Sequence, residues 1–146
     1  MGQAMQWAKE AEQKKALAER LSRLEPNERA GLADFVRRLL LHYGDALRRV
    51  VLFGSKARGD ADGESDLDLL IVVRMVSGDY QPYRDEIVDI AWQIESTYGL
   101  VTSLVIKSER DYAAMLRHQL LLARNIERDG IELWTTPQGA LTLQLA

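Results

Sequence analysis

The sequence contains no cysteine, so disulfides and thiolate metal sites are excluded, and a reducing compartment is permitted. Its only histidines are His42 and His118, which excludes a histidine-rich zinc centre. It has no excess of positive charge: 19 basic residues face 22 acidic ones, for a formal net charge of −3. A chain that holds long nucleic acid mainly through bulk charge would be basic, so no long nucleic acid is expected. One local site for a small phosphorylated ligand remains compatible with that balance. No apolar run approaches the ~20 residues that span a bilayer. The residues from Gln3 onward are polar and lack the apolar core of a signal peptide. The expectation is a cytoplasmic protein without membrane contact.

What is present suffices for one compact domain: 146 residues, 47% of them apolar. Residues 3–24 read as a helix with a weak apolar stripe of Met5, Ala8, Ala11, Leu17, Leu21 and Leu24. Its polar run at residues 9–15 is read as a solvated face, with an arm packing on a partner as the other reading. Pro26 suits a helix start, Leu32, Phe35, Val36, Leu39, Leu40 and Tyr43 repeat at helical spacing, and Gly44 marks the stop. Residues 49–53 form a short buried strand, and residues 66–73 a second one. A helix is expected over 83–98, stopped by Gly99, and a third strand over 100–106. One further helix runs from Ser108 to Gly130, and a short edge strand covers 131–134. The organisation expected is an N-terminal helix (1–24), a domain at 25–134 and a C-terminal tail (135–146). Alternating strands and helices give an α+β fold, a small mixed sheet of three to four strands flanked by helices.

Two short motifs carry chemistry. Gly54-Ser55 directly follows the first strand, where glycine lets backbone approach a phosphate and serine offers a hydroxyl and an N–H. Alone this is weak, because many strand-to-turn junctions use Gly-Ser for geometry. Asp66 and Asp68 are two apart on a strand, so both side chains take one face. Adjacent carboxylates repel, and a divalent cation removes that penalty with the oxygen ligands Mg²⁺ prefers. The alternative is that both sit at a strand end facing solvent. Together the motifs are stronger, because the chain must return from the first strand to the second and so sets the phosphate turn beside the carboxylates. Lys56 and Arg58 follow the turn and are expected to neutralise phosphate charge; the other reading is that Arg58 pairs with a nearby acid such as Asp60 or Asp62.

Gly54-Ser55, ten residues, then Asp66-Leu67-Asp68 resembles the signature of the DNA polymerase β-like nucleotidyltransferase superfamily. The fuller string Gly54-Ser55-Lys56-Ala57-Arg58-Gly59 with Ser65-Asp66-Leu67-Asp68-Leu69 is similar to its minimal nucleotidyltransferases, as in HEPN toxin–antitoxin pairs. The likeness extends more loosely over residues 24–134. It implies catalytic and metal-binding roles for Asp66 and Asp68, and phosphate binding by Gly54, Ser55 and Arg58. It also implies Mg²⁺ or Mn²⁺, ATP or another nucleoside triphosphate, and transfer of AMP to a HEPN-family protein partner. A homo-oligomer stays open. The superfamily's third carboxylate, expected on the third strand, is missing: residues 100–106 (LVTSLVI) contain no acid, and Thr102 or Ser103 takes its place. The other reading is therefore a catalytically weak nucleotide-binding module that neutralises a HEPN-type ribonuclease by contact. Transfer to a small molecule such as an aminoglycoside would normally need a larger substrate lobe.

Overall fold

A computed structural model describes residues 2–60, 65–76 and 78–136. The chain runs α1 (Gly2–Leu21), α2 (Pro26–Tyr43), a single 3₁₀ turn, β1 (Leu47–Phe53), α3 (Gly54–Arg58) and β2 (Leu67–Val73). It continues with α4 (Gln81–Tyr98), β3 (Thr102–Ser108), α5 (Glu109–Arg117), α6 (Leu121–Asp129) and β4 (Ile131–Thr135).

The four strands form one mixed sheet in the order β3-β2-β1-β4. β1 pairs antiparallel with both β2 and β4, while β2 and β3 run parallel. A parallel pair needs a crossover, and α4 supplies it. β2 is central and, from Leu69 to Val73, apolar at every position, as a strand covered on both faces must be. Alternation divides its side chains. Leu69 and Ile71 pack with Leu32, Phe35 and Leu39 of α2 and Ile87, Ala91 and Ile94 of α4. Leu70 and Val72 face the other way, toward Tyr112 of α5 and Ala123 and Ile126 of α6. Asp68 shares this second face by the same alternation.

The helix ends follow local chemistry. Pro26 opens α2 and Glu28 caps it, accepting a 2.8 Å hydrogen bond from the Glu25 N–H. α4 stops where Gly99 adopts the left-handed conformation, φ 70°. The helix expected from Ser108 to Gly130 is instead two, because α5 ends in a Schellman turn. The N–H of Leu120 reaches Met115 O (3.1 Å) and that of Gln119 reaches Leu116 O (3.1 Å), with Gln119 at φ 54°. No glycine marks this stop, so residue type did not signal it. β3 lies two residues later than expected, β2 begins after Asp66, and α1 ends at Leu21 rather than Leu24. Residues 137–146 of the expected tail, and Asp62 of the acidic loop, lie outside the described residues.

Across β1 and β4, Arg49 holds two carboxylates together. Its Nε donates to Glu132 (2.8 Å) and its Nη1 to Glu127 (2.7 Å), while the Tyr112 hydroxyl donates to Glu127 (2.8 Å). Removing the cation leaves Glu127 and Glu132 facing each other in a partly desolvated site. Arg49→Ala is expected to lower stability by about 2–3 kcal/mol, less than for a fully buried pair because the group is partly exposed. Urea unfolding measures it, and a loss no larger than that of an ordinary surface substitution would refute the coupling.

Candidate active site

β1 and β2 run side by side with Phe53 opposite Asp68, so the chain leaves β1 level with the second aspartate. It turns at once into the one-and-a-half-turn helix α3, whose start at Gly54 has no side-chain cap. Gly54 has φ +74°, and a Cβ built there would lie 2.1 Å from Asp68 Oδ2. The Asp68 carboxylate therefore rests directly against the Gly54 backbone. The two halves of the motif, which sequence order could only bring near each other, are in van der Waals contact. The turn is closed by the Ser55 carbonyl, which accepts the N–H groups of Gly59 (2.9 Å) and Asp60 (3.2 Å).

Asp66 precedes β2 and is exposed; Asp68 is half-buried within it. Burial pushes the Asp68 carboxyl up from its usual range, the charge of Asp66 pushes it further, and Arg58 partly offsets both. Among the described residues no group of three or more His, Cys, Asp or Glu side chains forms a ready metal cluster. The site is a pair, two hard oxygen donors whose mutual repulsion a divalent cation would cancel, and it suits Mg²⁺ on that ground. A raised pKa means that the folded protein holds this proton more tightly than the unfolded chain. Ionisation above that range therefore subtracts from stability, and the penalty fades as pH falls through the carboxylate range. Asp68→Asn is expected to raise the melting temperature of the metal-free protein at neutral pH, with the gain shrinking in acid. Calorimetry at the two pH values checks it, and a variant that melts lower at neutral pH would contradict the electrostatic account.

The family model described as "Nucleotidyltransferase domain" matches residues 30–130. This chain belongs to that family. It is a nucleotidyltransferase. A Methanocaldococcus jannaschii protein named "Putative protein adenylyltransferase" is 36% identical over 83 residues, 57% of this chain and 76% of that one. A second so named, from the same organism, is 42% identical over 62 residues, 42% of this chain and 61% of its own length. Among solved structures, a toxin–antitoxin with AMP-PNP aligns over 77% of this chain and 82% of its own at TM-score 0.48 and 20% identity.

In this nucleotidyltransferase domain the basic residues of the turn divide. Lys56 does not face the aspartates: its Nζ pairs with Glu28 Oε2 at 3.0 Å, with side chains only 11% and 10% exposed. It anchors α3 to the start of α2, a partnership 28 positions apart that spacing could not reveal. Arg58 remains half-exposed, pairs with Asp60 at 3.1 Å, and is close enough to Asp68 to lower its pKa. Of the two sequence readings of Arg58, the structure displays the pairing with a nearby acid.

Arg20, which sequence reasoning passed over, ties α1 to the site. It donates to the carbonyl oxygens of Ala57 (3.3 Å) and Asp129, bridging the end of α3 and the end of α6. Upstream of Leu17, α1 is exposed along its length, Trp7 at 65%. Trp92 is exposed on α4.

The register decides the missing acid. Asp68 pairs with Ser103 across the parallel β2–β3 ladder, so Ser103 takes Asp68's face, whereas Thr102 points to the opposite layer and donates to Glu95 (3.2 Å). Ser103, not Thr102, stands where a third carboxylate would. Glu109 pairs with Arg48 beyond the far end of β3, and Asp89 is exposed on α4, so neither substitutes.

Proposed function

We propose that the protein is an adenylyltransferase that moves AMP from ATP onto a hydroxyl of a partner protein. The observation that carries this reading is the contact of the Asp68 carboxylate with the Gly54 backbone, beside Asp66. In it, Gly54 and Ser55 receive the terminal phosphates at the uncapped start of α3, where N–H groups favour an anion. Asp66 and Asp68 hold Mg²⁺, or Mn²⁺ in its place, and that ion supplies charge neutralisation at the phosphates. Arg58, half-exposed beside the pair, offers a fork of N–H donors to phosphate oxygens. The acceptor oxygen forms a bond to the α-phosphorus while the bond to pyrophosphate breaks, and the hydroxyl proton leaves to solvent, since a neutral Ser103 cannot take it at ordinary pH. The names of the archaeal relatives support a protein acceptor. The motif's likeness to minimal nucleotidyltransferases supports a HEPN-family toxin as that partner and an antitoxin role, with α1 as a contacting arm.

Ser103 in the third position favours a second reading, a slow or inactive module that restrains its partner by contact. Labelled ATP, Mg²⁺ and the partner separate the two. Label on the partner that Asp66→Asn/Asp68→Asn abolishes, a loss of about 10³-fold or more, supports transfer. No label, with restraint retained by the variant, sinks it.

A further inference from the structure

The sheet ends on β3 at one side, and among the described residues that edge is unguarded. From Thr102 to Ile106 it carries neither charge nor proline; Lys107 is its first charged residue. Its pairing with β2 runs from Leu67↔Thr102 to Val73↔Ser108 without a bulge. Exposed edges are usually blunted by lysine, proline, bulges or a covering element. Leu104 packs toward the α2–α4 layer and Val105 toward the α5–α6 layer, yet both stay half-buried, while their partners Leu69 and Leu70 on β2 are 0% exposed. The difference is a missing neighbour on the outer side, where no strand pairs among the described residues. The Leu67 N–H donates to Val101 O at 3.0 Å. In a parallel ladder this turns the odd-numbered residues of β3 toward β2. Thr102, Leu104 and Ile106 then turn their N–H and C=O groups outward.

This edge is also the near wall of the site, because Ser103 is abreast of Asp68. A strand added to β3 would lie two strand spacings, about 10 Å, from β2. Its residue beside Ser103 would project on Asp68's face, and the small, exposed Ser103 leaves that path clear. We propose that the outer edge of β3 docks the acceptor as an extended segment, paired backbone to backbone with Thr102, Leu104 and Ile106, delivering its hydroxyl side chain past Ser103 to the nucleotide. The proposal rests on the protein-acceptor reading above. It names the mode of recognition: main-chain pairing gives affinity, and alternate side chains give choice.

The probe is a synthetic extended peptide, Thr-Val-Thr-Tyr-Thr-Val-Thr, with a copy N-methylated at alternate amides that cannot pair. ATP binding with Mg²⁺ is measured first and without peptide; its absence would remove the function itself rather than the docking mode. With ATP bound, the plain peptide at up to millimolar concentration is expected to shift the Thr102, Leu104 and Ile106 amides in NMR and to take up label. The methylated copy is expected to do neither. Thr102→Pro removes an outward N–H that the ladder does not use, and is expected to lower peptide labelling about tenfold. Thr102→Ala, which loses the Glu95 contact but keeps the N–H, is expected to leave labelling unchanged. Shifts mapping elsewhere, no shifts at all, or equal effects of Thr102→Pro and Thr102→Ala would overturn the proposal. Shifts of the same amides with protein concentration alone would assign the edge to a second copy and overturn it too.

Discussion

Ser103→Asp is expected to raise nucleotidyl transfer by about 10²–10⁴-fold, the usual contribution of a positioned general base. The parallel register places residue 103 beside Asp68 on the same face, one strand spacing away, and its side chain is exposed rather than wedged in the core. An aspartate there needs no repacking. It would add a third oxygen donor and a group able to take the acceptor's proton. Two signatures should accompany the gain. Without metal the variant should melt lower than wild type, because a further negative charge joins Asp66 and Asp68; with Mg²⁺ the order should reverse. The wild-type rate should rise with pH, as the acceptor must lose its proton unaided, and the variant's profile should flatten toward neutral pH. Transfer assays across pH and melting curves with and without Mg²⁺ test all three. An unchanged rate with an unchanged profile would mean that the proton leaves by a route independent of this strand.

Gly54→Ala is expected to remove nearly all transfer, by about 10²-fold or more, through misplacement rather than loss of a chemical group. Any L-residue at φ +74° carries backbone strain of about 1–3 kcal/mol. The added methyl would also stand 2.1 Å from Asp68 Oδ2, so the carboxylate must swing away from the turn. Stability falls by the strain, a drop of several degrees in melting temperature, and the aspartate loses its position beside the phosphate turn. Gly78→Ala is the control, because its Cβ would meet nothing within 4 Å. Metal-dependent ATP affinity and transfer rate, compared across both variants, test the claim. A Gly54→Ala protein that binds and transfers normally would show that the contact between the motif halves is incidental.

These expectations divide by how far apart in the chain their causes lie. Much was legible in residue order because the physics is local. Pro26 opens α2, Gly44 and Gly99 close α2 and α4, and the apolar spacing of Ile87, Ala91 and Ile94 marks the buried face of α4. The candidate site could be named, because a Gly-Ser turn after a buried strand and two carboxylates at a following strand each obey short-range rules. Where local rules were silent, the reading missed: Gln119 closes α5 in a conformation usually given to glycine, so residue type gave no warning of the break.

Tertiary structure decided the rest. Lys56 looked like a phosphate ligand from its place after Gly54-Ser55, but Glu28 at the start of α2 claims it, and only packing brings the two together. Arg20 reaches carbonyls more than thirty and more than a hundred residues away, so no pattern around it could announce that it ties α1 to the site. Either Thr102 or Ser103 could have stood in for the missing acid. The β2–β3 register chose Ser103, because a shift of one residue sends a side chain to the opposite face of the sheet. The sequence by itself determined the fold class, the family and the pair of aspartates, since helix stops, strand alternation and motif spacing act over a few residues. The contact of Asp68 with Gly54, the burial of Lys56 and the open edge of β3 came only with the tertiary structure, because each depends on which distant strands and helices lie side by side.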